Sequence, residues 1–213
     1  IKRKSPTQGR LAIQQLSALS LLAAPGVPIH WLEHNTDRES AKKALSALFN
    51  SSICQTSTDN RKALIHRLQG RAFRENHLTN EAEKDSALTS TVWILENRST
   101  HTPDNPSKER EEVRDLIEQL GAVASQDYSQ PLFTKPTIAT TLARILQKAL
   151  QFGMHQNALT LVNSVAKASD VLGIDHPDIL SSRNSLANAY LLEGQIEKAI
   201  ALLEQNLKHS KTT

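Results

Sequence analysis

Apolar residues recur at helical spacing along most of the chain, and their phase resets at clusters of Pro, Gly, Ser and Asn. Residues 2–9 carry no period and read as a linker around Pro6 and Gly9. Leu11, Ile13, Leu16, Leu19 and Leu22 predict a largely buried helix over 11–23, ended by Pro25, Gly26 and Pro28. A short helix over 29–34 follows, with Trp31 and Leu32 as core. Thr36, Asp37, Arg38 and Glu39 form a capping box, in which the Thr hydroxyl accepts from a free backbone N–H and the Glu reaches back. It starts a helix through Ala41, Leu45, Leu48 and Phe49 that Ser51 and Ser52 stop. Extended pieces over 53–56 and 63–66 flank the turn-rich Ser57-Thr58-Asp59-Asn60 and predict a small β-hairpin. Helix resumes over 67–76, with Leu68, Ala72 and Phe73 inward.

The second half reads as helix throughout. Residues 80–98 carry the stripe Ala82, Leu88, Val92, Leu95 behind a cap at Thr79 or Asn80. A loop over 99–106 leads to a helix over 107–124, with Val113, Leu116, Ile117 and Leu120 apolar and Glu109, Glu111 and Glu112 near its positive end. Residues 126–135 form a second loop. Helices over 137–151 and 155–172 then flank Gly153, and two more within 175–207 flank Gly194. Gly173 suits a left-handed stop. Leu180, Leu186, Ala187 and Tyr190 mark one face of the last hairpin; Ile196, Ala199, Ile200, Leu203 and Leu207 mark the other. Ala158 and Ala199 each stand five residues after their glycine, so the two hairpins repeat at an offset of 41 residues, with Ala149 departing from Tyr190. The expected fold class is therefore mainly all-α with one small hairpin. Its expected division is 1–78, a connecting helical hairpin over 79–134, and two repeated hairpins over 135–213.

Composition narrows the classes. Aromatic residues make up 4% of the 213 positions while Leu and Ala abound, which favours helix over sheet. The single cysteine, Cys54, excludes an internal disulfide or a cysteine-based zinc cluster, so a reducing cytoplasm is the expected compartment. No stretch approaches the roughly 20 apolar residues of a membrane span, so no membrane partner is expected. The opening Ile-Lys-Arg-Lys lacks an initiator Met and the apolar core of a signal peptide, and the chain reads as a fragment. Charge is uneven: residues 1–76 hold twelve Lys and Arg against five Asp and Glu, and residues 77–213 hold thirteen against seventeen, giving +7 and −4. A basic half can meet nucleic acid, phosphates or an acidic neighbouring domain, or face only solvent.

The motif L-A-x-x-Y-x-x-x-G-x-x-x-x-A over 186–199, with Asp175-His176-Pro177-Asp178 ahead of it, resembles the longer-period variety of the tetratricopeptide repeat, whose common form repeats at roughly 34 residues. Helix, short helix, helix, hairpin, helix over residues 11–76 is the order of a winged helix. The apolar strand running into Ile65-His66-Arg67-Leu68 resembles the segment after the wing in NB-ARC-type STAND NTPases, a family in which such repeats commonly follow. The resemblance implies a winged-helix domain followed by an α–α superhelix of tetratricopeptide-like hairpins, continuing into further repeats. It also implies a concave face that binds a protein or peptide, through Ser181, Asn184 and Asn188 of the last hairpin with Arg144, Gln147 and Arg183 nearby, Gln147 matching Asn188 at the 41-residue offset. Amides suit that task because each both donates and accepts. Repeat-to-repeat hydrogen bonds and plain solvation are the competing roles.

No G-x-x-x-x-G-K-[ST], G-x-G-x-x-G or G-x-S-x-G occurs, and seven glycines leave little for a phosphate-cradling loop, so neither catalysis nor a cofactor is expected of this chain itself. His30 and His34 share a helical face, but the zinc-protease pattern needs Glu directly after the first His and Trp31 stands there, so no metal is expected. Cys54 has no nucleophile partner at a telling spacing and reads as a buried structural thiol. Lys42, Lys43, Arg61, Lys62, His66, Arg67 and Arg71, with Arg74, form the candidate contact set of the basic half. In the sensing reading they face an upstream nucleotide-binding domain. In the alternative, a DNA-binding regulator, Arg38, Lys42 and Lys43 enter the major groove while Arg61 and Lys62 touch phosphate from the wing.

Overall fold

A computed structural model describes residues 6–22, 25–33 and 37–210. It is mainly helical, with one three-stranded antiparallel sheet among the described residues, and divides into two compact units, Ile1–Ile94 and Leu95–Thr213. The division falls inside one helix, whereas the sequence pattern divides at 78 and 134.

Unit 1 runs α1 (Pro6–Leu21), β1 (Val27–Pro28), α2 (Ile29–Leu32), α3 (Arg38–Asn50), β2 (Cys54–Thr56), β3 (Lys62–Ile65), α4 (Arg67–His77) and the first part of α5 (Glu81–Thr100). Residues 6–9, read from composition as linker, belong to α1; Pro is tolerated in a first turn, where its missing N–H has no partner to lose. The segment of breakers after α1 holds β1. Gly26 there has φ +98°, and a Cβ would stand 2.9 Å from the Ala63 carbonyl, so only glycine lets the chain approach β3 so closely. The sheet order β1-β3-β2 leaves β1 on an edge, where Pro28 is tolerated.

Asp37 caps α3, its carboxylate accepting from the Ser40 N–H at 3.0 Å; Thr36 of the anticipated capping box lies outside the described residues. Ala41, Ala44, Leu45 and Leu48 bury against α1. On α4 the inward positions are Gly70 and Phe73, with the Arg74 guanidinium donating to the Ser20 carbonyl at 2.6 Å. Leu68, anticipated inward, is 61% exposed, and Ala72 is exposed too. The reason is phase: Gly70 is the position against α1, with Ser20 Cα at 3.9 Å from a would-be Cβ, and that rotates Leu68 outward. The order helix, short helix, helix, hairpin, helix is the one the sequence pattern predicts, with β1 added to the sheet.

Unit 2 continues with α6 (Pro106–Ser125), a 3-10 helix (Asp127–Thr134), α7 (Thr137–Gln151), α8 (His155–Leu159), α9 (Val162–Leu172), α10 (Pro177–Leu192) and α11 (Ile196–Ser210). The 126–135 segment, read as a loop, is the 3-10 helix, and it buries Leu132 and Phe133 against α6, α7 and α9. The helix anticipated over 155–172 breaks at Thr160 and Leu161, where the Thr160 hydroxyl donates to the Asn157 carbonyl and competes with the helical ladder. Ile138, Leu142, Ile145 and Leu146 of α7 form the centre of the core with Leu116 and Leu120 of α6. α10 lies between α7 and α11 and buries Ile179, Leu186, Ala187 and Ala189, whereas Leu180 and Tyr190 are half-buried. α11 packs chiefly on α10 through Ala199. Ile196, Ile200 and Leu207 of its anticipated apolar face are 54%, 49% and 60% exposed. Among the described residues no helix is long and apolar enough to cross a membrane.

Candidate functional site

The two hairpins of unit 2 repeat in geometry as well as in sequence. At the first turn the Met154 N–H donates to the Ala149 carbonyl at 2.8 Å, and at the second the Gln195 N–H donates to the Tyr190 carbonyl at 2.8 Å, 41 residues on. Gly153 and Gly194 take φ +66° and +73° with nothing within 4 Å of a would-be Cβ, so backbone conformation rather than space selects glycine. Ala158 and Ala199 are fully buried, which is what lets the paired helices approach.

This duplication sets α7 beside α10, and two side-chain contacts hold their register. Thr140 Oγ1 donates to Asp178 Oδ2 at 2.7 Å, and the Gln147 side-chain amide reaches Ser181 Oγ at 3.4 Å. The N-terminus of α10 is itself organised by Pro177 in its first turn and by His176, whose Nδ1 accepts from the Asp178 N–H at 3.3 Å. Between the two helices runs a shallow groove of about 670 Å³ lined by Gln147, Ser181, Asn184 and Asn188. The helical spacing 181, 184, 188 thus brings four of the six anticipated site residues together. Leu150, Leu180 and Ser185 also line it and were missed: the stripe pattern had Leu180 in the core and gave no reason to expose Leu150.

The four polar groups are not equivalent. Asn184 Oδ1 already accepts from the Asn206 side-chain amide at 2.8 Å, which ties the groove floor to α11 and leaves the Asn184 amide N–H groups for other partners. Asn188 is exposed, and its amide bonds no protein group. The groove therefore offers donors and acceptors over an apolar strip and carries no charged side chain.

Arg144 and Arg183 stand elsewhere. Arg144 donates to Ser99 Oγ at 2.8 Å, beside Lys148, which pairs with Glu109 at 2.8 Å; both are staples of unit 2. Arg183 is buried between α10 and α11, where its guanidinium donates to the Gln205 side-chain oxygen and burial pushes its pKa down. One residue separates Arg183 from Asn184 in sequence, but the helix turns about 100° per residue.

In unit 1 the candidate basic set is dispersed. Lys43 pairs with Glu39 at 3.5 Å and Arg71 with Glu75 at 2.7 Å, both exposed. His66 is the N-cap of α4, Nδ1 accepting from the Leu68 N–H at 3.3 Å, a structural role. Arg61 and Arg67 are exposed, Lys42 and Lys62 half-buried, and Arg74 is engaged with Ser20. Cys54 is buried in β2. No group of three potential metal ligands occurs among the described residues; His34, partner of His30 in the sequence pattern, lies outside them. Comparison with protein-family models, curated proteins and solved structures finds no match.

Proposed function

We propose that this chain is the non-catalytic sensing and regulatory part of a STAND-type NTPase: tetratricopeptide-like hairpins in unit 2 take up a protein or peptide in extended form, and the winged-helix unit engages an upstream nucleotide-binding domain. The observation that carries the reading is the gathering of Gln147, Ser181, Asn184 and Asn188 on one uncharged groove between duplicated helices. An extended peptide presents alternating N–H and C=O groups, and side-chain amides answer both. Leu150 and Leu180 supply apolar contact beneath. Signalling then requires that the ligand bind one arrangement of the parent better than another, since equal affinity shifts nothing. A reducing cytoplasm goes with this reading, as does an absence of bound cofactor in this segment.

The test is to pan the whole chain against a displayed library of random linear peptides and measure the enriched sequences on wild type and on Asn184→Ala/Asn188→Ala. Binding is expected to weaken about tenfold or more in the double variant. Enriched peptides that bind both proteins equally, or a library that enriches nothing, would remove the groove from consideration.

The DNA-binding reading draws on one specific observation: α3 exposes Arg38 and Lys43, and the turn of the β2–β3 hairpin exposes Arg61. Glu39 on the same helix, paired with Lys43, and the commitment of four α3 positions to the core weigh against it.

A further inference from the structure

Unit 2 treats its buried cations in two ways. Arg98 stands 3.9 Å from the carboxylate of Glu112. Arg183 is as buried as Arg98, at 6% exposure, yet among the described residues it makes no ion pair. Its one hydrogen-bond partner is the neutral side-chain oxygen of Gln205, and its Nη1 is sealed from solvent with no partner at all. A guanidinium cannot escape by deprotonating, and a buried charge without a counter-charge is among the costliest arrangements a fold can carry.

Arg183 lines an open pocket of about 400 Å³ between α9, α10 and α11, distinct in its lining from the peptide groove. Its walls are apolar, from Val162, Val165, Leu186 and Leu202, and Lys198 adds a second cation at the edge, 5.5 Å from the Tyr190 ring centre. The acidic residue on the wall, Asp170, is exposed and forms no ion pair with Arg183.

We propose that this pocket is a second binding site, one that receives a monocarboxylate with a short apolar body, its carboxylate taking the place of the Gln205 side-chain oxygen on the Arg183 guanidinium. A charge-assisted bond from the guanidinium to a carboxylate is stronger than the one it makes to a neutral amide oxygen, while the apolar walls and Asp170 disfavour a doubly charged phosphate. The same chemistry comes from a free short-chain carboxylic acid or from the C-terminal residue of a peptide. The pocket shares no lining residue with the peptide groove.

The experiment uses the whole chain with three probes: N-acetyl-leucine, its primary amide, and 4-methylvalerate, followed by isothermal calorimetry and by thermal unfolding. Saturable binding of at least one acid is expected, weaker by about tenfold or more for the amide and for Arg183→Met. Arg183→Met without ligand is expected to unfold at the same or a higher temperature than wild type, because it removes an uncompensated charge; a merely structural arginine would make that variant less stable. Ala166→Phe, at an exposed lining position, fills the pocket with Arg183 intact and is expected to abolish binding. Asn184→Ala/Asn188→Ala is expected to leave it unchanged. N-acetyl-leucine binding tighter than 4-methylvalerate identifies a peptide terminus as the source, and equal binding identifies a free acid. Absence of saturable binding by either acid, equal binding of acid and amide, or binding unaffected by both Arg183→Met and Ala166→Phe would overturn the proposal.

Discussion

Cys54 shows how far a single environment reaches. Desolvation pushes its thiol up to about 11 from 9.0, so the neutral form persists in the folded chain well above the pH at which an exposed thiol ionises. The folded value lies above the unfolded one, so the stability it contributes is complete below about pH 9 and is lost as pH rises through 11. Native protein at pH 8 is therefore expected to react with a thiol reagent far more slowly than unfolded protein, and Cys54→Ala to flatten the stability profile between pH 9 and 11. Denaturant titrations at several pH values check the second point. The buried pair Arg98 and Glu112 makes an opposite kind of claim. Glu112→Leu strands a buried cation and is expected to cost roughly 3 kcal/mol, much of which Arg98→Met restores in the double variant, as urea unfolding would measure. A burial preference for Cys54 could be read from its apolar strand, but nothing in the spacing of residues 98 and 112 announced their pairing, because it joins two helices through side chains.

At the scale of elements, the repeated turn is the most constrained feature. Gly153 and Gly194 hold positive φ with open space around them, so Gly194→Ala is expected to destabilise by about 1 kcal/mol through backbone conformation alone, and Gly194→Asn by less. Chemical denaturation of the three proteins checks the order. These turns and the helices beside them were legible because glycine, alanine and the apolar stripe recur together at 41 residues. β1 was not legible: two residues between Gly26 and α2 cannot carry an alternating pattern, and their strand character comes from pairing with Ala63 and Lys62. The break between α8 and α9 likewise has no proline or glycine to mark it. On α11 the stripe was legible as one helical face, but its exposure was not, because periodicity identifies a face without saying whether another element covers it.

For the whole molecule, the uneven charge of +7 over residues 1–76 against −4 over 77–213 raises the DNA question in a form that salt decides. On the sensing reading, binding to duplex DNA is expected to be weak and to vanish by about 0.15 M salt, where the Debye length is near 8 Å. Binding that persists there and collapses in Lys42→Glu/Lys43→Glu would favour the regulator instead. The sequence by itself determined the helical class, the order of the helices and of the β2–β3 hairpin in unit 1, the duplicated hairpins and the amide stripe of α10, since each is a local periodicity or a turn requirement written along the backbone. Only the tertiary structure decided which faces are covered, that the neighbours Arg183 and Asn184 line different pockets, and that one buried arginine lacks a counter-charge. Those depend on which distant segments meet, and the number of residues between them carries no trace of it.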